Sequence, residues 1–222
     1  YFDQTVSDIF GFNAAQLGSP ALDFLQNSRI PFRFNGSHQA GSAVRLCQDD
    51  LPFACDSLDL LLMPHLLEFS EYPHQILREA QRVLVPEGHL LISGFNPNSL
   101  WGLRRALSNK SGTPWSGGFI PVRRLADWLS VLGFDVISVH FSGYAPPFSQ
   151  NKWLKRCARM ETVGERWWAG SGGVYYLHAV KRVHGVSLLK PQWKQGLVSR
   201  LLPVTPKMNN NGMQCSREDL HE

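Results

Sequence analysis

Residues 47–97 read CQDDLPFACDSLDLLLMPHLLEFSEYPHQILREAQRVLVPEGHLLISGFNP. Asp59 to Met63 is a short apolar run after an acidic turn, the pattern of a strand buried in a parallel sheet. Pro64 breaks it. Pro73 stands where a helix tolerates proline, in its first turn. From there Ile76, Leu77, Ala80, Val83 and Leu84 recur at helical spacing, with Arg78, Glu79, Gln81 and Arg82 on the other face. Pro86-Glu87-Gly88 is expected to stop the helix, and Leu90, Leu91 and Ile92 make a second short strand. Two such strands joined by an amphipathic helix form a βαβ unit, which almost always packs as a right-handed crossover.

Outward from this unit, composition sets bounds. At 222 residues and 43% apolar content, one domain with a sizeable core is expected, with a tail. The net charge of +4 is modest but uneven. Arg104, Arg105, Lys110, Arg123 and Arg124 fall in 99–126 without an acid, and 180–207 is likewise basic. Solvated surface is the plain reading. An anionic partner such as nucleic acid or a membrane surface would also suit these stretches, but no nucleic-acid motif accompanies them. Cys47, Cys55, Cys157 and Cys215 lack CxxC spacing, which argues against zinc and against a disulfide scaffold. A reducing cytoplasm is expected. No apolar run approaches the ~18–20 residues of a membrane span. The chain opens on Tyr1 rather than Met, so a natural N-terminus further upstream is expected.

Leu51-Pro52-Phe53, Leu58-Asp59, Leu77-Arg78-Glu79, Arg82-Val83-Leu84 and Pro86-Glu87-Gly88 occur in an order and spacing that resembles the middle of class I S-adenosylmethionine-dependent methyltransferases. The likeness is close over residues 47–97 and looser over most of the chain. Ser93-Gly94-Phe95-Asn96-Pro97 and Leu100 to Arg105 are similar to a bacterial branch of that family. The resemblance implies a Rossmann-like α/β fold: a seven-stranded, mostly parallel sheet with helices on both faces and an antiparallel last strand. It places the domain at 1–183 and leaves 184–222, with Pro191, Pro203, Pro206 and Asn209 to Asn211, as a mobile tail. It implies S-adenosyl-L-methionine as cofactor, a methyl acceptor that the residues do not name, and an open oligomeric state.

The same resemblance assigns expectations along the chain. Tyr1 to Phe10 reads as a helix stopped by Gly11, and Phe12 onward as the first strand. The glycine-rich loop of the family falls on Gly18-Ser19-Pro20, where only Gly18 remains. Leu22 to Leu25 suggests a short helix ending near Asn27. Pro31 to Phe34 reads as the second strand, after which the family places a carboxylate on the ribose; here stands Asn35-Gly36. Ala43 to Cys47 reads as the third strand. The adenine-binding acid would align with Cys47, while the acids present are Asp49 and Asp50 after Gln48 and before Leu51; Asp49 is preferred. Met63 and His65 close the fourth strand at the edge where parallel sheets bind ligands, and His65 is the candidate general base. Asn96 is expected to open the next helix with Pro97 in its first turn, then Leu100 to Leu107 within it. Pro121 opens a further helix through Leu132, and 134–141 and 174–181 are closing strands. Residues 108–118 form a loop near the site's mouth, and 151–168 a basic, aromatic cover. An oxidoreductase is disfavoured by the lack of Gly-x-Gly-x-x-Gly. The lost glycines and the missing carboxylate also fit a non-catalytic binding or scaffolding protein on the same fold.

Overall fold

The computed structural model describes residues 1–18, 22–37, 44–107, 117–144 and 170–183. They fall within the compact unit Tyr1–His184. Seven strands form one sheet: β1 (Asn13–Leu17), β2 (Phe32–Ser37), β3 (Val44–Arg45), β4 (Leu58–Pro64), β5 (Leu84–Phe95), β6 (Phe134–Ser142) and β7 (Val174–Lys181). Their order is β3-β2-β1-β4-β5-β7-β6. The first five run parallel, and β7 is antiparallel to both neighbours. Helices are α1 (Phe2–Asp8), α2 (Pro73–Val83), α3 (Leu100–Leu107) and α4 (Val122–Val131).

The covered parts of the central strands, Leu60 to Met63 of β4 and Leu90 to Ile92 of β5, are apolar because both faces are covered. Side chains alternate across a strand. Leu61 and Met63 of β4, with Leu90 and Ile92 of β5, join Ile76, Leu77, Ala80 and Val83 of α2 and Leu125 and Leu129 of α4 in one core. Leu60, Leu62 and Leu91 point the other way and pack with Phe2, Val6 and Ile9 in a second. Each such buried aliphatic side chain contributes about 1.5–3 kcal/mol.

The family-like residues of the central unit have mechanical roles. Asp59 Oδ2 accepts from the backbone N–H groups of Phe12 and Asn13 at 2.8 and 2.9 Å, tying the entry of β1 to β4. Arg82 reaches from α2 to the carbonyls of Phe53 and Leu51, both at 2.8 Å, and pairs with Glu79 at 2.7 Å. Glu79 Oε2 accepts from the Leu51 N–H at 3.0 Å. The Leu51–Phe53 turn is thus fastened to α2. The Arg82 guanidinium holds the Glu79 carboxyl below its ordinary value, against the opposing effect of burial.

Several expectations need correction. α1 ends at Asp8, before Gly11, and Phe10 is exposed. Phe24 to Asn27 is a turn rather than a helix. α2 stops at Val83 because Leu84 is already extended and pairs with Leu58. Pro86-Glu87-Gly88 lies within the span of β5, with Glu87 at φ +63. Asn96 does not start α3. Its amide donates to the carbonyls of Gly170 and Gly172 at 2.9 and 3.0 Å, bracing the approach to β7. Ser99 precedes the helix instead, accepting from the Gly102 N–H. Residues 108–116, 151–168 and 184–222 lie outside the described residues.

Candidate active site

The strand order reverses direction between β1 and β4, and the crevice at the carboxyl ends of such strands is where open α/β sheets hold ligands. On the β1 side stands Gly18, at φ +120, a conformation that side chains disfavour. A Cβ there would lie 3.2 Å from the Pro64 carbonyl oxygen. The Gly18 N–H donates to the Gly36 carbonyl at 3.1 Å, so β1 and β2 leave the sheet together.

On the β4 side the chain turns sharply. His65 adopts φ +49, and its N–H donates to the Ser93 carbonyl at 3.1 Å and approaches the Ser93 hydroxyl at 3.2 Å. The short 3₁₀ turn Leu67–Phe69 follows. It folds Glu68 back under the strand ends, leaving the side chain 1% exposed. Glu68 Oε1 accepts the Phe95 N–H at 2.6 Å and lies 3.2 Å from His65 Nδ1. Glu68 Oε2 is buried with no hydrogen-bonding partner. The Phe95 ring sits 4.4 Å from the His65 ring and 5.1 Å from Phe119, and the Arg105 guanidinium lies 4.7 Å above Phe119. Behind them the Tyr175 ring packs on Gly94, where a Cβ would meet its hydroxyl. Burial first, and the Glu68 charge second, push the Tyr175 hydroxyl far above its ordinary value.

The sequence-derived site residues distribute as follows. Gly18 and His65 flank the switch point. Asn35 pairs with Gln16 inside β2, which continues to Ser37. Gly36 lies against Leu46, 2.4 Å from where its Cβ would be, so the missing side chain serves packing. Cys47 and Asp50 are exposed and Gln48 and Asp49 half-buried, along a bend leading out of β3. The Leu51 and Met63 side chains belong to the core, which leaves only their backbone toward the crevice. Ser19 lies outside the described residues. Glu68, Ser93 and Phe95 were missed. The three-residue spacing of His65 and Glu68 was the available signal for the first; nothing in the sequence marks its burial.

This strand order, with β7 antiparallel to its neighbours, is that of the Rossmann-like methyltransferase fold. Residues 33–92 match a family model described as a methyltransferase domain. The Escherichia coli K12 protein YafS is 36% identical over 133 residues, 58% of this chain and 55% of its own length. The malonyl-[acyl-carrier protein] O-methyltransferase of Laribacter hongkongensis is 32% identical over 97 residues, 43% of this chain and 33% of its own. The chain thus spans about half, and a third, of these curated relatives. A solved SAM-dependent methyltransferase of Thermotoga maritima superposes with a TM-score of 0.61 at 17% identity, covering 82% of this chain and 88% of that one. Among the described residues no helix is long and apolar enough to cross a membrane.

Proposed function

We propose that this chain transfers a methyl group from S-adenosyl-L-methionine to an acceptor held over the carboxyl ends of β4 and β5. The close approach of Gly18 to the Pro64 carbonyl at the switch point, one residue before His65, carries the reading. Gly18 fits the cofactor's methionine end, because backbone without a Cβ lets a ligand approach closely. In this reading Asn35 and the Gly36 backbone would meet the ribose, and Asp49 or Asp50, on the bend after β3, the adenine. When bound, the cofactor supplies an electrophilic methyl carbon whose bond to sulfur breaks with its electron pair left on sulfur.

The chain's own contribution is alignment: a displacement of this type is accelerated mostly by holding both partners in line. His65, with a side chain 33% exposed at the crevice, is the general base of this reading. Replacing it with Ala is expected to slow transfer by about 10²–10⁴-fold, the usual range for a positioned base, while cofactor binding persists. An unchanged rate on any identified acceptor removes the role.

Thermal unfolding with S-adenosylmethionine or S-adenosylhomocysteine tests the cofactor. At a hundred times the dissociation constant a native-state ligand adds about 2.7 kcal/mol. In a chain of this length that raises the midpoint by roughly 5–10 °C. No rise at millimolar ligand would sink the enzymatic reading in favour of a binding protein built on the fold.

A further inference from the structure

We infer that Glu68 is a positioning residue that fixes the tautomer of His65 and aims its Nε2 lone pair at an acceptor bearing a hydroxyl. The inference rests on the methyl-transfer reading above.

Its basis is the hydrogen-bond arrangement. Glu68 Oε1 already accepts the Phe95 N–H at 2.6 Å and faces His65 Nδ1 at 3.2 Å. An oxygen acting as acceptor toward both groups requires the imidazole proton on Nδ1. The other nitrogen, Nε2, is then the acceptor of the neutral ring. Turning the ring over would put a carbon in place of Nδ1 and lose the Glu68 contact. The His65 backbone is held in the left-handed conformation by Ser93, and its ring lies 4.4 Å from Phe95. The partnerless Oε2 adds a second argument. A buried oxygen without a donor is costly, and the ion pair described for Glu68 is the one with His65. A proton arriving at Nε2 leaves the contact between Nδ1 and Glu68 Oε1 in place.

That arrangement suits an acceptor that arrives with a proton to lose. An alcohol or phenol oxygen is a weak nucleophile until its proton leaves. As the oxygen forms its bond to the methyl carbon, its proton passes to Nε2. The carbon–sulfur electron pair stays on sulfur, and the products are the methyl ether and S-adenosylhomocysteine.

The test is nitrogen-15 NMR of histidine-labelled full chain. His65 is assigned by comparison with His65→Gln, with and without S-adenosylhomocysteine. The expected spectrum shows the neutral ring protonated on Nδ1. Glu68→Ala shifts it toward the Nε2-protonated form, and Glu68→Gln, which keeps the acceptor oxygen, restores the original state. A wild-type ring protonated on Nε2 overturns the inference whatever the variants do, even if S-adenosylhomocysteine binds. Failure of S-adenosylhomocysteine to bind is instead a failure of the cofactor reading. Simple phenols and the matching anilines serve as acceptor probes: transfer to phenols that His65→Gln abolishes supports the assignment, and transfer confined to anilines overturns the hydroxyl class.

Discussion

Asp59 shows how one side chain can carry the geometry of a whole edge. Its Oδ2 receives two backbone N–H groups from the chain entering β1, and Gly11 is tucked so close that a Cβ there would lie 2.4 Å from Asp59 Cβ. Without the carboxylate, those donors lose charge-assisted bonds. Asp59→Ala should lower the unfolding free energy by about 1–3 kcal/mol, read as a lower urea midpoint at unchanged slope. An unchanged midpoint would mean that water replaces the carboxylate at no cost. This role was not legible from the residues: a lone Asp opening a strand marks a position in a pattern, and its partners lie 46 and 47 residues upstream. Glu68 was hidden for a related reason. Between Leu67 and Phe69, just ahead of Ser70-Glu71, it resembles any polar turn residue, and only the backward fold of the 3₁₀ turn brings it beneath Phe95. Asn96 misled in the opposite sense. Asn followed by Pro has the chemistry of a helix start, and Asn96 Oδ1 does accept the Asn98 N–H, but that contact closes a turn and the helix opens only at Leu100.

The elements were readable where their periodicity is strong. α2 has its apolar residues on one face, and double-sided burial leaves apolar runs in β4 and at Leu90 to Ile92 of β5, so both elements were readable although their shared boundary at Leu84 was not. Phe24 to Asn27, a turn in the structure, is too short for periodicity to separate from a helix. At the β5–β7 pairing lies a feature that no motif flags. His89 Nδ1 and His178 Nε2 meet at 2.9 Å across the two strands. Burial, and then the neighbouring His89, lowers His178 from 6.5 to about 4; burial lowers His89 as well. The folded protein keeps this pair neutral where the unfolded chain would take up protons. Its contribution to stability is therefore complete above pH 6.5 and lost as pH falls from there toward 4. Urea midpoints measured across that window should decline with acid in the native chain. His178→Gln, which keeps a partner for His89, should flatten the decline; an identical acid limb in both proteins would show that other groups govern it.

At the scale of the molecule, the sheet is unequal across its width. β4, β5 and β7 are central and covered, whereas β3 is two exposed residues at one edge and β6 forms the other, with Ile137 and Val139 exposed. Opening free energies follow packing, so hydrogen exchange should be slowest at amides of β4, β5 and β7 and faster at β3 and along β6. Comparable protection in β3 would contradict that ordering. The overall architecture was legible because it is written in the covered strands; the crevice was only half legible. Gly18 and His65 sit at strand ends that the pattern locates, while Phe95 depends on where β5 stops, and strand ends are the part of a pattern least constrained by packing.

The two-sided enclosure of β4 and β5 has a consequence for how such a protein is traced to its kin. A residue pressed on both sides by neighbours has few tolerated replacements, since a change of one methylene is felt by the packing around it. Spelling there drifts slowly, and the match over residues 33–92 coincides with β2 through most of β5. What kinship detects in this chain is therefore its chassis. In the proposed reading the methyl acceptor would touch the rim, outside those covered strands, so a shared fold and a shared substrate are separate questions for every chain built this way.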